Sequence, residues 1–276
     1  MKTKTYLGAL VVAVAALAFV SGPAWAGIAL TKHNLGSSST AGNNQTADTG
    51  YICVFCHTPH GSDTSAPVPL WNRVLGSQGA AYNTYASLGT STLDSKQAAI
   101  GSVSLACLSC HDGTQAMDVM INAPGSGGYN ATGTDAGFNW TGSSVNAGGT
   151  ITAGVTLIGT DLRNDHPIGT QYAGGGYTSS TPAPSSGNDP DFNAAKNTTI
   201  GSTLVWWVDT STGTTNTREK TDMILYSRPS TDFAGGGTTE PSVECASCHD
   251  PHTSANPTFL RTSNVGSAVC LACHNK

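Results

Sequence analysis

All eight cysteines of this 276-residue chain fall into four copies of one pattern, a Cys-x-x-Cys pair followed at once by histidine. The copies read CVFCH (Cys53, Cys56, His57), CLSCH (Cys107, Cys110, His111), CASCH (Cys245, Cys248, His249) and CLACH (Cys270, Cys273, His274). Disulfides, zinc sites and redox dithiols all use paired cysteines, but none of them needs a histidine directly after the second one. Covalent haem attachment needs all three residues. The two thiols add to the haem vinyl groups, and the histidine is held under the iron as proximal ligand. The pattern therefore predicts four haem c groups, with His57, His111, His249 and His274 as proximal ligands.

Four of the eight histidines remain: His33, His60, His166 and His252. Four irons need four distal ligands, so the simplest assignment makes every haem bis-histidine. Methionine is the competing distal ligand, available as Met117, Met120 and Met223. The bland alternative for His60 and His252 is a surface turn after proline, and for His166 a solvated loop in NDHPIG. His33 stands near the start of the mature chain, where only a firm tie such as iron ligation would order it. Two imidazoles leave no open position for substrate, which suits passing single electrons, and the lack of methionine ligands argues for low potentials.

The short stretch CVFCHTPHG limits what His60 can do. Three residues extend at most about 10 Å, and Pro59 restricts the path further. His60 cannot round the porphyrin edge to the far side of the iron that His57 holds, so as a ligand it binds a different haem. His252 stands in the same relation to His249. The pattern CxxCHxPH…CLxCH occurs twice, with 54 residues from Cys53 to Cys107 and 25 from Cys245 to Cys270, which predicts a duplicated two-haem unit.

The chain opens with Lys2 and Lys4, an apolar run from Tyr6 to about Val20, and Ala24-Trp25-Ala26. That is the pattern of a secretory signal peptide over residues 1–26, cleaved after Ala26, with no membrane span in the mature form. The mature chain carries 10 basic and 17 acidic side chains, a net charge of −7. Without a basic cluster it has no footprint for nucleic acid. Gly, Ser, Thr, Asn and Ala dominate, and long aliphatic side chains are sparse, so the cofactors must supply much of the apolar volume.

The expected organisation is a first di-haem unit over residues 27–125, a Gly/Ser/Thr-rich middle segment over 126–235 that holds His166, and a second di-haem unit over 236–276. The predicted fold class is mostly irregular coil wrapped around four haems, with short helices at the CXXCH motifs. A few short β-strands are expected in the middle segment, at VTLIG (155–159), TLVWWVD (203–209) and DMILYS (222–227).

CVFCHTPHG with PLWNR (69–73), CLSCHDGT, NDHPIG, CASCHDPH and FLRTSNVGSAVCLACHNK resemble the doubled-CXXCH multihaem cytochromes c. Four haems, this motif order and a long variable middle resemble, within that group, the extracellular tetrahaem c-type cytochrome nanowire family (OmcE-like). The resemblance implies a homopolymeric filament with a continuous haem chain. Electrons would come from donor cytochromes of the cell envelope and pass to extracellular acceptors such as metal oxides or electrodes, with the protein at the cell surface or beyond. It also suggests that His33 is donated to a haem of the adjacent subunit. The alternatives are a monomeric periplasmic electron shuttle with the same haem chemistry, and a multihaem reductase, which would need a five-coordinate haem.

Overall fold

A computed structural model describes residues 27–42, 44–75, 82–89, 92–125, 128–179, 187–210, 213–233 and 239–275. The expected signal peptide lies outside the described residues. Among them no helix is long and apolar enough to cross a membrane.

In chain order the regular elements are β1 (Asn44–Thr46), α1 (Ser102–His111), β2 (Val119–Asn122), β3 (Tyr129–Asp135), β4 (Trp140–Gly142), β5 (Thr170–Gln171), β6 (Lys196–Ile200), β7 (Thr203–Val208), β8 (Met223–Pro229), β9 (Thr239–Val243), α2 (Cys245–Cys248) and α3 (Ala268–Leu271). Each CXXCH motif coincides with a helical turn: α1 carries Cys107 and Cys110, α2 carries Cys245 and Cys248, α3 leads into Cys273, and Cys53–Phe55 form a 3-10 turn. A helical turn brings residues three apart onto one side, which suits two thiols that must face one ring.

The middle segment holds short strands, and β5 to β8 of it join β9 of the second unit in one sheet. A five-stranded sheet runs in the order β5-β9-β8-β7-β6, with every neighbouring pair antiparallel. β6 and β7 form a hairpin closed by Gly201 and Ser202, where Gly201 takes the positive φ that such a tight turn needs. β9 (TEPSV) is weak as a sequence signal because it contains proline and glutamate. It tolerates Pro241 inside the sheet because β5 pairs only with Ser242 and Val243, leaving the chain unpaired on that side at Pro241. VTLIG forms no strand: the Ile158 and Gly159 amides both donate to the His111 carbonyl, and Val155 is almost fully exposed. β1 pairs with β4 and β2 with β3, so the first unit draws on chain as far as residue 142.

Among the described residues three small apolar clusters stand in place of a single large core, and each abuts motif cysteines. Tyr172, Tyr177, Trp206, Met223 and Leu225 pack beside Cys248 and Cys273. Trp71, Leu75, Leu105 and Leu108 pack beside Cys56. Phe55, Met117, Met120 and Trp140 pack beside Cys56 and Cys110. The three methionines considered as ligands thus lie in apolar clusters. Trp206 and Trp207 face opposite sides of β7, and both are buried.

Candidate haem centres

The two CxxCHxPH elements sit in the same hydrogen-bonded cradle. At the first, the Thr58 amide donates to the Leu70 carbonyl (2.8 Å), the Asn72 amide to the Cys56 carbonyl (2.9 Å), and His57 bridges to Trp71. At the second, the Asp250 amide donates to the Phe259 carbonyl (2.8 Å), the Arg261 amide to the Cys248 carbonyl (2.8 Å), and His249 bridges to Leu260. Side chains follow the same plan, with Asn72 Nδ2 donating to the Val54 carbonyl (2.6 Å) and Arg261 Nε to the Ala246 carbonyl (3.0 Å). Even the backbone strain recurs, since Leu70 and Phe259 both take positive φ, 57° and 62°. PLWNR (69–73) and TFLRT (258–262) are therefore the docking segments of two equivalent units.

Those segments also set the histidine tautomers. His57 Nδ1 bonds the Pro69 carbonyl (2.8 Å), and His249 Nδ1 the Thr258 carbonyl (2.7 Å). In the same way His111 Nδ1 bonds the Thr156 carbonyl (2.8 Å) and His166 Nδ1 the Pro167 carbonyl (3.0 Å). A carbonyl only accepts, so Nδ1 carries the proton and Nε2 keeps its lone pair for a metal. Burial, reinforced by nearby His111, pushes His33 down to about 4, and burial also lowers His111. Both imidazoles are thereby held in the neutral form that ligates iron.

Six of the eight histidines stand in facing pairs. His57 and His252 have ring centres 6.2 Å apart at 18°, His33 and His111 6.1 Å apart at 72°, and His166 and His274 6.4 Å apart at 65°. Each pair joins one CXXCH histidine to one histidine from elsewhere in the chain. Two imidazoles bound on opposite sides of one metal, at about 2 Å each, hold their ring centres roughly 6 Å apart. The donor set and its spacing fit a six-coordinate haem iron at three sites. His33, which the resemblance gives to a neighbouring subunit, faces His111 of its own chain. His60 and His249 are both exposed, and among the described residues no histidine ring stands opposite either of them at this separation.

The cysteines link the motifs in series. All eight are unpaired thiols. Burial pushes Cys56 up to about 12, with Cys110 of the second motif adding to the rise and the Arg73 charge opposing it. Cys107 is raised first by its hydrogen bond to Cys245 of the third motif and then by burial. Burial pushes Cys273 up to about 12 as well, and Cys248 of the third motif acts in the same direction. Motif one therefore adjoins two, two adjoins three, and three adjoins four.

Residues 240–276 match the family of the doubled CXXCH motif. The match covers Cys245 to His274, the second unit, and it begins within β9. The doubled motif indicates haem c binding and the electron-transfer role of a multihaem c-type cytochrome. No curated protein matches the chain significantly.

Several residues at these sites had no assigned role from sequence. Glu244 is fully buried between two attachment helices, accepting from Ser104 Oγ of α1 (2.5 Å) and Ser242 Oγ (2.9 Å), while its amide donates to Ser247 Oγ of α2 (2.9 Å). Ser104 Oγ in turn accepts the Cys245 amide (3.0 Å). Phe259 stacks on His33 at 4.4 Å and fixes its ring. The sequence signal for Phe259 was its place at the head of FLRTSNVGSAVCLACHNK; Glu244 and Ser104 carried none.

Proposed function

We propose that this chain is an exported tetrahaem c-type cytochrome that wraps four bis-histidine haems and assembles head to tail into an extracellular filament for electron transfer. Its partners in this reading are further copies of itself, donor cytochromes of the cell envelope, and acceptors such as metal oxides or electrodes. Haem iron, when bound between two imidazoles, takes up and releases one electron at a time without opening a position to substrate.

The observation that carries the reading is the pairing of six histidines within the chain, with His60 and His249 left over. The first unit takes its second imidazole from the second unit, His252 facing His57. The same relation, applied once more, brings His60 of the next chain's first unit to His249 of this one. Each chain then offers one histidine and receives one, a head-to-tail contact that does not close on itself and builds a fibre. The surroundings of His60 support this role. Its carbonyl is anchored by Asn122 Nδ2 (2.7 Å) and Thr58 Oγ1 (3.1 Å), whereas its ring is exposed. Tyr129, 62% exposed, lies against the adjoining Gly61, and Leu70, 51% exposed, accepts the amide of Thr58, two residues before His60, so apolar surface suited to docking flanks the His60 turn.

The test is His60→Ala in secreted protein, viewed by electron microscopy and ferric EPR. Loss of filaments with unchanged haem content, and one new high-spin haem, is the expected result. Filaments that persist with all haems low-spin would overturn the reading.

A further inference from the structure

Arg73 is fully buried, yet no carboxylate neutralises it. Among the described residues the ion pairs involve Arg163, Arg228 and His252, and none involves Arg73. Its guanidinium is held entirely by neutral acceptors. Nε donates to Ser109 Oγ (3.0 Å), Nη1 to the Met117 and Val119 carbonyls (2.7 and 3.3 Å), and Nη2 to the Ser109 carbonyl, Gln115 Oε1 and the Ala116 carbonyl (2.8, 2.7 and 2.8 Å). The neighbouring Asp118 is engaged elsewhere, accepting the Phe138 amide (2.8 Å).

The position of this charge is what gives it consequence. Ser109 lies within the second CXXCH motif, next to Cys110, and Arg73 caps the end of α1 there. Asn72, the preceding residue, holds the first motif through Val54 and Cys56. The cation is therefore wedged between the first and second attachment sites. The second unit has no fully buried counterpart. Arg73 corresponds in the repeated cradle to Thr262. Arg261 likewise has no carboxylate partner among the described residues and donates to the Ala246 carbonyl of the third motif (3.0 Å). It is only half-buried, however, and reaches the Lys220 carbonyl through an exposed contact, so water screens its charge more than that of Arg73.

We infer that Arg73 sets the redox potential of the first unit, raising it above that of the second. The inference rests on the haem reading above. One-electron reduction removes one unit of positive charge from the centre and changes no bond in the protein. An unneutralised cation in a poorly screened interior favours that reduced form. Carbonyl dipoles at the end of α1 offset part of the charge but leave its sign unchanged. The two halves of an otherwise repeated unit thus differ in driving force, and electrons settle towards the first.

The experiment is a spectroscopic redox titration of the haem-loaded protein, with haem content measured in parallel, for the unaltered chain and for Arg73→Met, Arg73→Lys and Gln115→Glu. Gln115→Glu places a carboxylate on the guanidinium without removing it, so it tests the charge even where Arg73→Met fails to fold. Arg73→Met and Gln115→Glu are expected to move the highest-potential component downwards and leave the lowest in place, while Arg73→Lys leaves all components in place. Unchanged potentials in Gln115→Glu would overturn the inference. So would an equal drop in Arg73→Lys and Arg73→Met, which assigns the effect to packing. An unaltered chain that carries no haem would instead overturn the cytochrome reading beneath it.

Discussion

The ring of His252, from the second CxxCHxPH element, lies nearly parallel to that of His57 in the first, with their centres 6.2 Å apart. His252 and His249 are three positions apart, yet only His252 faces His57. In the proposed tetrahaem reading their element joins two centres through a few backbone atoms, and close spacing of redox centres follows from covalent geometry.

His252→Met should keep the site opposite His57 six-coordinate and raise the potential of one haem, because a thioether ligand favours the ferrous state. His252→Ala should instead leave that iron open, giving a high-spin ferric signal and carbon monoxide binding at one haem. A redox titration with EPR separates the two. A chain in which neither variant alters any haem would show that His252 does not ligate.

His33→Ala tests the intrachain pairing with His111. Loss of the ring should open one haem and leave filament formation intact, since the contact lies within one chain. Phe259→Ala, which removes the ring stacked on His33, should loosen the same site without opening it fully. Filaments lost in His33→Ala would instead assign His33 to the contact between subunits.

Glu244 ties α1 to α2, and its removal is expected to cost about 2 kcal/mol, since the buried Ser104 and Ser242 hydroxyls lose their acceptor while Arg228 keeps its ion pair to Asp232. Thermal unfolding of Glu244→Ala checks this, and a change below about 0.5 kcal/mol, the range of ordinary surface substitutions, would show the tie to be dispensable.

The same carboxyl makes a pH prediction. Burial raises Glu244, more than the Ser104 and Arg228 contacts lower it. Its folded pKa is then above the unfolded one, so its contribution is fully present below the ordinary carboxylate range and is lost as pH rises through the folded value. The unaltered chain should gain stability relative to Glu244→Gln between neutral and mildly acidic pH. Parallel curves of Tm against pH for the two proteins would contradict that.

Much of the candidate site was legible in the sequence because haem attachment is a local pattern. Two cysteines and a histidine at fixed spacing need only one helical turn, and α1, α2, α3 and the turn at Cys53 supply it. The strong strand signals at β7 and β8 were legible for the same reason: β-branched and aromatic residues run together there. β9 was not, because TEPSV forms a strand only where β8 is already present to pair with it. VTLIG misled in the opposite sense. Its composition favours a strand, but its amides are used on the His111 carbonyl.

The sequence alone determined the number of attachment motifs, the count of histidines available to them, and the rule that His60 and His252 cannot serve the histidine three residues before them. Each of these depends on composition or on short covalent reach. Tertiary structure alone decided which histidine faces which, that the methionines are packed in apolar clusters, and that Arg73 is buried without a counter-ion. These outcomes depend on contacts between residues far apart in the chain, such as His33 with His111 or Arg73 with Ser109, and no local spacing encodes them.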